Sequence, residues 1–350
     1  MSNPDIFTVL VECMTYNQRE YIEDSMDGFC MQKTNFPYIC VIMDDCSTDG
    51  EQEIIRRYVA KHFFLITEKE TDDYILNQCQ HKTNTNCYFA VFYLKYNHYS
   101  IKKDKNQYYL KWREKCKYIA FCEGDDYWID EEKLQIQTNF LERNDEYGMC
   151  YTKAKCFVQA LDAFQTKTIG DCFDDFEDLL KNTNRIPTLT TCIRRFLLKK
   201  YEEEIKPQNF NWLMGDYPMW LFFAHESKVH FIDKIFCVYR ILDNSASHST
   251  DVDKIIKFNE SVYDIKRFYA NKYNVDYNFI EDYNLTVFRI YFGILMKEYN
   301  REYADKLRMY GALQKTNKKY KLYCLFSYNG LLWVVLKLIL SIKNIVKKGN

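Results

Sequence analysis

A chain of 350 residues has room for about two average domains, or for one large domain with an appendage. With 47% hydrophobic and 28% charged residues it can bury a substantial core, so a disordered tail is excluded. Forty-eight Lys and Arg against 49 Asp and Glu leave a formal charge of −1, which argues against a dedicated nucleic-acid binder built on a global basic field.

In chain order, Phe7 to Cys13 reads as a buried strand, and Tyr21, Ile22, Ser25, Met26, Phe29 and Cys30 then recur at helical spacing. Tyr38 to Met43 is a second apolar run, ending abruptly in Asp44 and Asp45. Thr48 and Glu51 form a capping-box pattern ahead of a helix that carries Ile54, Ile55, Tyr58 and Val59. Residues 67–117 are polar and rich in Tyr and Asn, with some helical character and no clear period. A third strand, Tyr118 to Cys122, stops at Glu123-Gly124-Asp125-Asp126, and a helix follows from Glu131 to Arg143. Strands alternating with helices predict a mostly parallel α/β sheet covered on both faces. Past Ser249 the pattern turns helical, with the longest helix expected over Tyr283 to Leu313. The apolar residues of 331–340, Lys337, Lys343, Lys347 and Lys348 give a basic amphipathic terminal helix over 331–348. It is too short to span a bilayer and suits either a membrane surface or docking on the protein's own core.

Several chemistries are missing. The ten glycines form no G-x-G-x-x-G, G-x-x-x-x-G-K or G-x-S-x-G, so a dinucleotide fingerprint, a P-loop and a nucleophile elbow are absent. Fourteen cysteines include no C-x-x-C, and Cys40 and Cys122 sit in apolar runs as small hydrophobes. Met1 to Asp5 carries no signal-like segment, and a cytoplasmic setting is expected. His225 and His230 are five apart, which places them on different faces of a helix and makes a shared zinc improbable.

What remains is carboxylate chemistry. Ligands of a parallel sheet bind beyond the carboxyl ends of its strands. Asp44-Asp45 and Glu123 to Asp126 stand at such ends, and Asp216 lies in Gly215-Asp-Tyr-Pro218. Adjacent Asp125 and Asp126 suit Mg²⁺ or Mn²⁺, which take one or two protein carboxylates and fill other positions with water and phosphate oxygens. Each acid also has a plain structural reading, as a turn residue or, for Asp216, a helix cap.

The segments Thr15-Tyr16-Asn17, Met43-Asp-Asp-Cys-Ser-Thr-Asp-Gly50, Cys122-Glu-Gly-Asp-Asp-Tyr-Trp128, Gly215-Asp-Tyr-Pro-Met-Trp220, Val238-Tyr-Arg240 and Ser245 to Ser249 occur in this order. Together they resemble the family-two glycosyltransferases of GT-A fold. The resemblance implies a catalytic domain over residues 1–250, with a nucleotide-binding half over 1–128 and an acceptor half over 129–250, followed by a helical region over 251–350. It further implies that Thr15, Tyr16 and Asn17 border the nucleobase and that Asp45 accepts a hydrogen bond from it. Asp125 would lie near the ribose and metal, Asp126 would bind the metal directly, and Asp216 would be the general base. Arg240 and His248 would help hold the diphosphate or metal.

The implied reaction is inverting transfer of a single sugar from a nucleotide-sugar, UDP-linked, to a hydroxyl of a sugar or lipid-linked saccharide, in surface polysaccharide or glycolipid assembly. Its cofactor would be Mn²⁺ or Mg²⁺. Met14 and Cys46 replace the proline and glycine common at those positions, and no Q-x-x-R-W segment of processive synthases occurs. Two other readings are a catalytically inactive nucleotide-sugar scaffold, which retention of Asp126 and Asp216 argues against, and a nucleotidyltransferase. The latter would want a Gly- and Arg-rich turn where Thr15-Tyr16-Asn17 stands.

Overall fold

The structure is a computed structural model that describes residues 6–242, 251–313 and 318–348. The chain forms two compact units, Met1–Phe210 with Gly215–Ser249, and Asn211–Met214 with Thr250–Asn350.

The first unit begins with β1 (Val9–Thr15), α1 (Ile22–Cys30), β2 (Tyr38–Asp44) and α2 (Glu51–His62). The meander β3 (Phe63–Glu70), β4 (Tyr74–His81) and β5 (Cys87–Leu94) follows, then the short α3 (Leu110–Arg113) and β6 (Tyr118–Phe121). Beyond lie β7 (Tyr127–Trp128), α4 (Lys133–Arg143), β8 (Tyr147–Val158), β9 (Ala163–Phe164), α5 (Phe176–Lys181), β10 (Cys192–Arg194), α6 (Arg195–Ile205), α7 (Asp216–Glu226) and β11 (Lys228–Ile241).

These strands form one sheet in the order β3-β4-β5-β2-β1-β6-β10-β8-β11-β7, with β9 beside β8. Its centre, β5-β2-β1-β6, is parallel, and β11 runs parallel to β8. The remaining pairings are antiparallel, so the sheet is mixed and the parallel character expected from the sequence is confined to those strands. Every residue of β2 and β5 is buried, as befits strands covered on both faces. Ile22, Met26 and Phe29 of α1 pack down onto the core, where the Phe29 ring meets Trp128 edge-on at 5.0 Å between centroids.

Two expectations are corrected. Within residues 67–117, the end of β3 with β4 and β5 makes the first part a strand meander, and helical character is confined to a turn at Asn106–Tyr108 and to α3. The capping box does not form, because Gly50 takes a left-handed φ of 92° and no side chain caps α2 from that position. All fourteen cysteines are free thiols, most of them buried.

The second unit is helical: α8 (Val252–Tyr273), α9 (Phe279–Lys297), α10 (Arg301–Leu313), α11 (Lys318–Phe326) and α12 (Gly330–Lys348). The helix expected over 283–313 is two helices, and α8 is the longest. Val287, Phe288 and Leu295 of α9 form a core with Leu307, Tyr323, Trp333 and Leu336. No helix among the described residues is long and apolar enough to cross a membrane.

Candidate active site

The parallel register sets Thr15 opposite Asp44, and Glu12 opposite Phe121. Strands β1, β2 and β6 therefore release Thr15-Tyr16-Asn17, Asp44-Asp45 and Glu123 to Asp126 at one edge of the sheet, where a crevice can form.

The first two loops are stitched together. Asn17, with a left-handed φ of 56°, donates its amide to Ser47 Oγ at 2.9 Å and accepts from the Thr48 amide at 2.7 Å. Glu51, the residue read as a cap, is buried and accepts from Thr15 Oγ1, from the Gln18 amide at 2.8 Å and from Ser47 Oγ at 2.8 Å. Asp49 instead bonds the Glu51 amide, at 3.0 Å. Tyr16 is left 46% exposed, its ring open to a flat ligand.

Asp45 is tied to the segment that follows β5. Its Oδ1 accepts from the His98 amide at 2.7 Å, and its Oδ2 from the Tyr99 amide at 3.0 Å and Lys105 Nζ at 2.8 Å. Burial opposes ionisation here, but Lys105 and the two amides outweigh it and hold the carboxyl below its ordinary range. Both oxygens thus fasten the 97–105 segment.

The acidic turn is supported from three sides. Gly124 sits so close to β1 that an added Cβ would overlap Thr15 Oγ1 and Gln18 Oε1. Ser25 Oγ of α1 donates to Gly124 O at 2.9 Å or Asp126 O at 2.6 Å. From β11, the Arg240 amide donates to Asp126 Oδ1 at 2.8 Å. The Arg240 guanidinium, only 6% exposed, bonds Asp125 O at 2.9 Å, Gln159 Oε1 at 3.0 Å and Asp24 Oδ2 at 2.6 Å, among the rings of Tyr21 and Tyr127. In this arrangement Arg240 braces the turn.

Electrostatics tie the acids together. Burial raises the Asp126 carboxyl well above its usual range, and the charges of Asp125 and Glu123 add to the shift. Asp125 is raised by burial as well, with Arg240 and Gln18 opposing. Glu123 is raised as well, by the protein packed around its base and by the charges of Asp125 and Asp216, although its side chain reaches solvent. The last contribution registers Asp216 within electrostatic reach of the turn, although it lies some ninety residues further along the chain. Asp216 opens α7, accepting from the Tyr217 amide at 2.7 Å and from Thr188 Oγ1 at 2.9 Å, and burial raises its carboxyl.

Among the described residues no three His, Cys, Asp or Glu side chains converge to hold a metal. His248 lies outside the described residues. Asp125 and Asp126 still fit a hard divalent cation that needs only one or two carboxylates, and their raised pKa values register acidic charge gathered with little to offset it. His225 ends α7 while His230 is on β11, stacked on Phe140 at 3.8 Å, so the two share no ligand.

The sequence reading did not single out Glu51, Gln18, Ser25 or Lys105. Only Ser25 left a signal, as a hydroxyl within the apolar stripe of α1.

An uncharacterized protein of Mycobacterium bovis is 34% identical over 138 residues, 39% of this chain and 32% of that protein. The chain thus spans about a third of the length of that relative. The putative teichuronic acid biosynthesis glycosyltransferase TuaG of Bacillus subtilis is 25% identical over 239 residues, 67% of this chain and 79% of TuaG. The mannosyltransferase of Pyrobaculum calidifontis solved with GDP-Man and Mn²⁺ superposes with a TM-score of 0.45 at 13% identity, over 95% of this chain and 87% of that one. Residues 13–78, the stretch from the end of β1 into β4, match the family model for glycosyl transferase family 2.

Proposed function

We propose that the chain transfers a single sugar, with inversion, from a nucleoside-diphosphate sugar carrying uridine to a hydroxyl of a saccharide or lipid-linked saccharide, on the cytoplasmic side. A place in surface polysaccharide assembly accords with the resemblance to TuaG. Peripheral contact of the 331–348 helix with the inner membrane face belongs to the same reading. The observation that carries the proposal is the electrostatic coupling of Asp216 to the Glu123–Asp126 turn. It supports a proton acceptor within electrostatic reach of the acids that would hold a metal-bound diphosphate.

Asp216 takes the proton of the attacking hydroxyl. Burial shifts its carboxyl toward the range in which a base is effective near neutrality, and Thr188 Oγ1 and the Tyr217 amide fix its orientation. Asp125 and Asp126 would hold the divalent cation, whose chemistry is to neutralise charge on the departing diphosphate. Arg240 and Ser25 keep both carboxylates in place. The exposed Tyr16 ring offers a stacking surface for the base, and the 97–105 segment, fastened by Asp45, forms a further wall of that site. A single displacement needs no covalent nucleophile, in keeping with the missing nucleophile motifs.

The test is donor hydrolysis over a panel of nucleotide-sugars with Mn²⁺ or Mg²⁺, which needs no acceptor. One UDP-sugar should be turned over only with metal, and Asp126→Asn should abolish this. Asp216→Asn should abolish transfer to an acceptor while donor binding persists. Metal-independent turnover, or full transfer by Asp216→Asn, would refute the assignment.

A further inference from the structure

The helical unit ends in an abrupt segregation of charge. Past Asp305 the sequence holds no Asp or Glu and ten Lys or Arg. The preceding residues hold 38 cations against all 49 acids, so a tail of formal charge +10 follows a body of −11.

Within this tail α12 has two apolar faces. Trp333 and Leu336 are buried, the Trp333 indole N–H donates to Leu295 O at 2.7 Å, and Leu340 packs on the same core. This is the docked helix that the sequence allowed. Leu331, Leu332, Val334, Val335, Leu338 and Ile339 are exposed, Leu331 by 79% and Leu338 by 60%. At 3.6 residues per turn they sweep an arc of about 160° opposite Trp333. Exposed Leu322 and Leu325 on α11 extend the apolar set, and exposed Lys318, Lys319 and Lys321 open that helix. Isolated exposed apolar side chains are ordinary; a continuous run of them marks an interaction surface.

We infer that this outer face of α12, with the lysines of α11, is a docking surface for an anionic phospholipid membrane. The inference deepens the peripheral contact included in the proposed function and rests on that part of it. Apolar side chains along a flat helix with Lys nearby match an interfacial helix, and anionic headgroups complement a segment that holds no acid. A second copy of this chain fits the surface less well, because two tails of +10 would repel. The docked stripe of Trp333 and Leu336 holds α12 on the helical unit, so the membrane face is preformed and pays no folding cost on binding.

The full chain is sedimented with vesicles of phosphatidylcholine alone and with vesicles containing about a third phosphatidylglycerol. Partitioning into the anionic vesicles should exceed that into neutral ones by at least about tenfold and should fall as salt is raised. The double variant Leu331→Glu/Leu338→Glu alters only exposed positions. It should lose vesicle binding by at least about tenfold while keeping its melting temperature and donor hydrolysis. Equal binding to neutral vesicles, an unaffected double variant, or a concentration-dependent dimer that the variant abolishes would each overturn the inference. Donor hydrolysis in the absence of vesicles separates the two proposals: if it persists while sedimentation fails, only the membrane surface falls.

Discussion

Replacing Asp126 by Asn should make the metal-free protein more stable and the metal-loaded protein inactive. The side chain is 3% exposed, and its Oδ1 accepts from the Arg240 amide at 2.8 Å, a bond that an Asn oxygen can keep. What the substitution removes is a buried negative charge facing Asp125 and Glu123, the source of its raised pKa. Relief of that desolvation and repulsion is worth about 1–3 kcal/mol, the usual penalty of a poorly compensated buried polar group. At about 2–4 °C per kcal/mol for a domain of this size, melting in EDTA at neutral pH should rise by roughly 2–12 °C. Mn²⁺ should then stabilise the native chain by more than the variant, inverting or closing the gap. Calorimetry of both proteins with EDTA and with Mn²⁺ measures all four values. A variant that melts below the native chain in EDTA, or gains as much from Mn²⁺, would show that Asp126 is neither strained nor a ligand.

The same cluster fixes a pH dependence. Burial raises the Asp126 carboxyl well above its ordinary range, so its contribution to stability is full below the ordinary carboxylate pKa and is lost as pH rises through the raised value. Metal-free melting should fall between pH 5 and pH 8 and flatten with Mn²⁺; a rise over that window would contradict the assignment. Lys105→Met removes the side-chain donor to Asp45 Oδ2 and should loosen the 97–105 segment, raising the donor KM several-fold with kcat little changed. A fall in kcat at constant KM would place that segment elsewhere in the reaction. Trp333→Ala empties a fully buried site and breaks the bond to Leu295 O, at a cost of about 3–5 kcal/mol read from urea unfolding. A cost under 1 kcal/mol would mean that α12 is not docked.

The strand-end acids were legible because an apolar run that stops at a carboxylate is a local pattern, and parallel pairing then carries three such ends to one edge. The meander was not. Strand β3 is an edge with charged, mostly exposed residues, and β4 alternates weakly because both its faces are half-covered. Strand β5 is a plain apolar run, Cys87 to Leu94, that length and composition alone could have separated from the polar sequence around it. The break between α9 and α10 carries neither Gly nor Pro; Asn300 caps the next helix by accepting from the Tyr303 amide at 3.1 Å, a role that helical periodicity does not reveal. Glu51 was misplaced for a related reason. Its spacing from Thr48 matches a capping box, but the left-handed Gly50 shifts the start of α2 and turns the carboxylate toward Thr15.

Arg240 explains how the site tolerates its own repulsion. Three carboxylates within four residues would drive a free loop apart, and burial makes the repulsion stronger. The turn is held by donors on fixed elements: the amide and guanidinium of Arg240 on β11, and Ser25 Oγ on α1. Most of these bonds go to backbone oxygens, leaving carboxylate oxygens of Asp125 and Asp126 available to a cation. The guanidinium also reaches Asp24 on α1, so one residue ties the acidic turn to the strand behind it and the helix beside it. The brace commits the guanidinium to three acceptors, Asp125 O, Gln159 Oε1 and Asp24 Oδ2. In the proposed reaction the charge against the leaving group would come from a cation held by the acidic turn, in keeping with the absence of glycine-rich phosphate loops in the sequence.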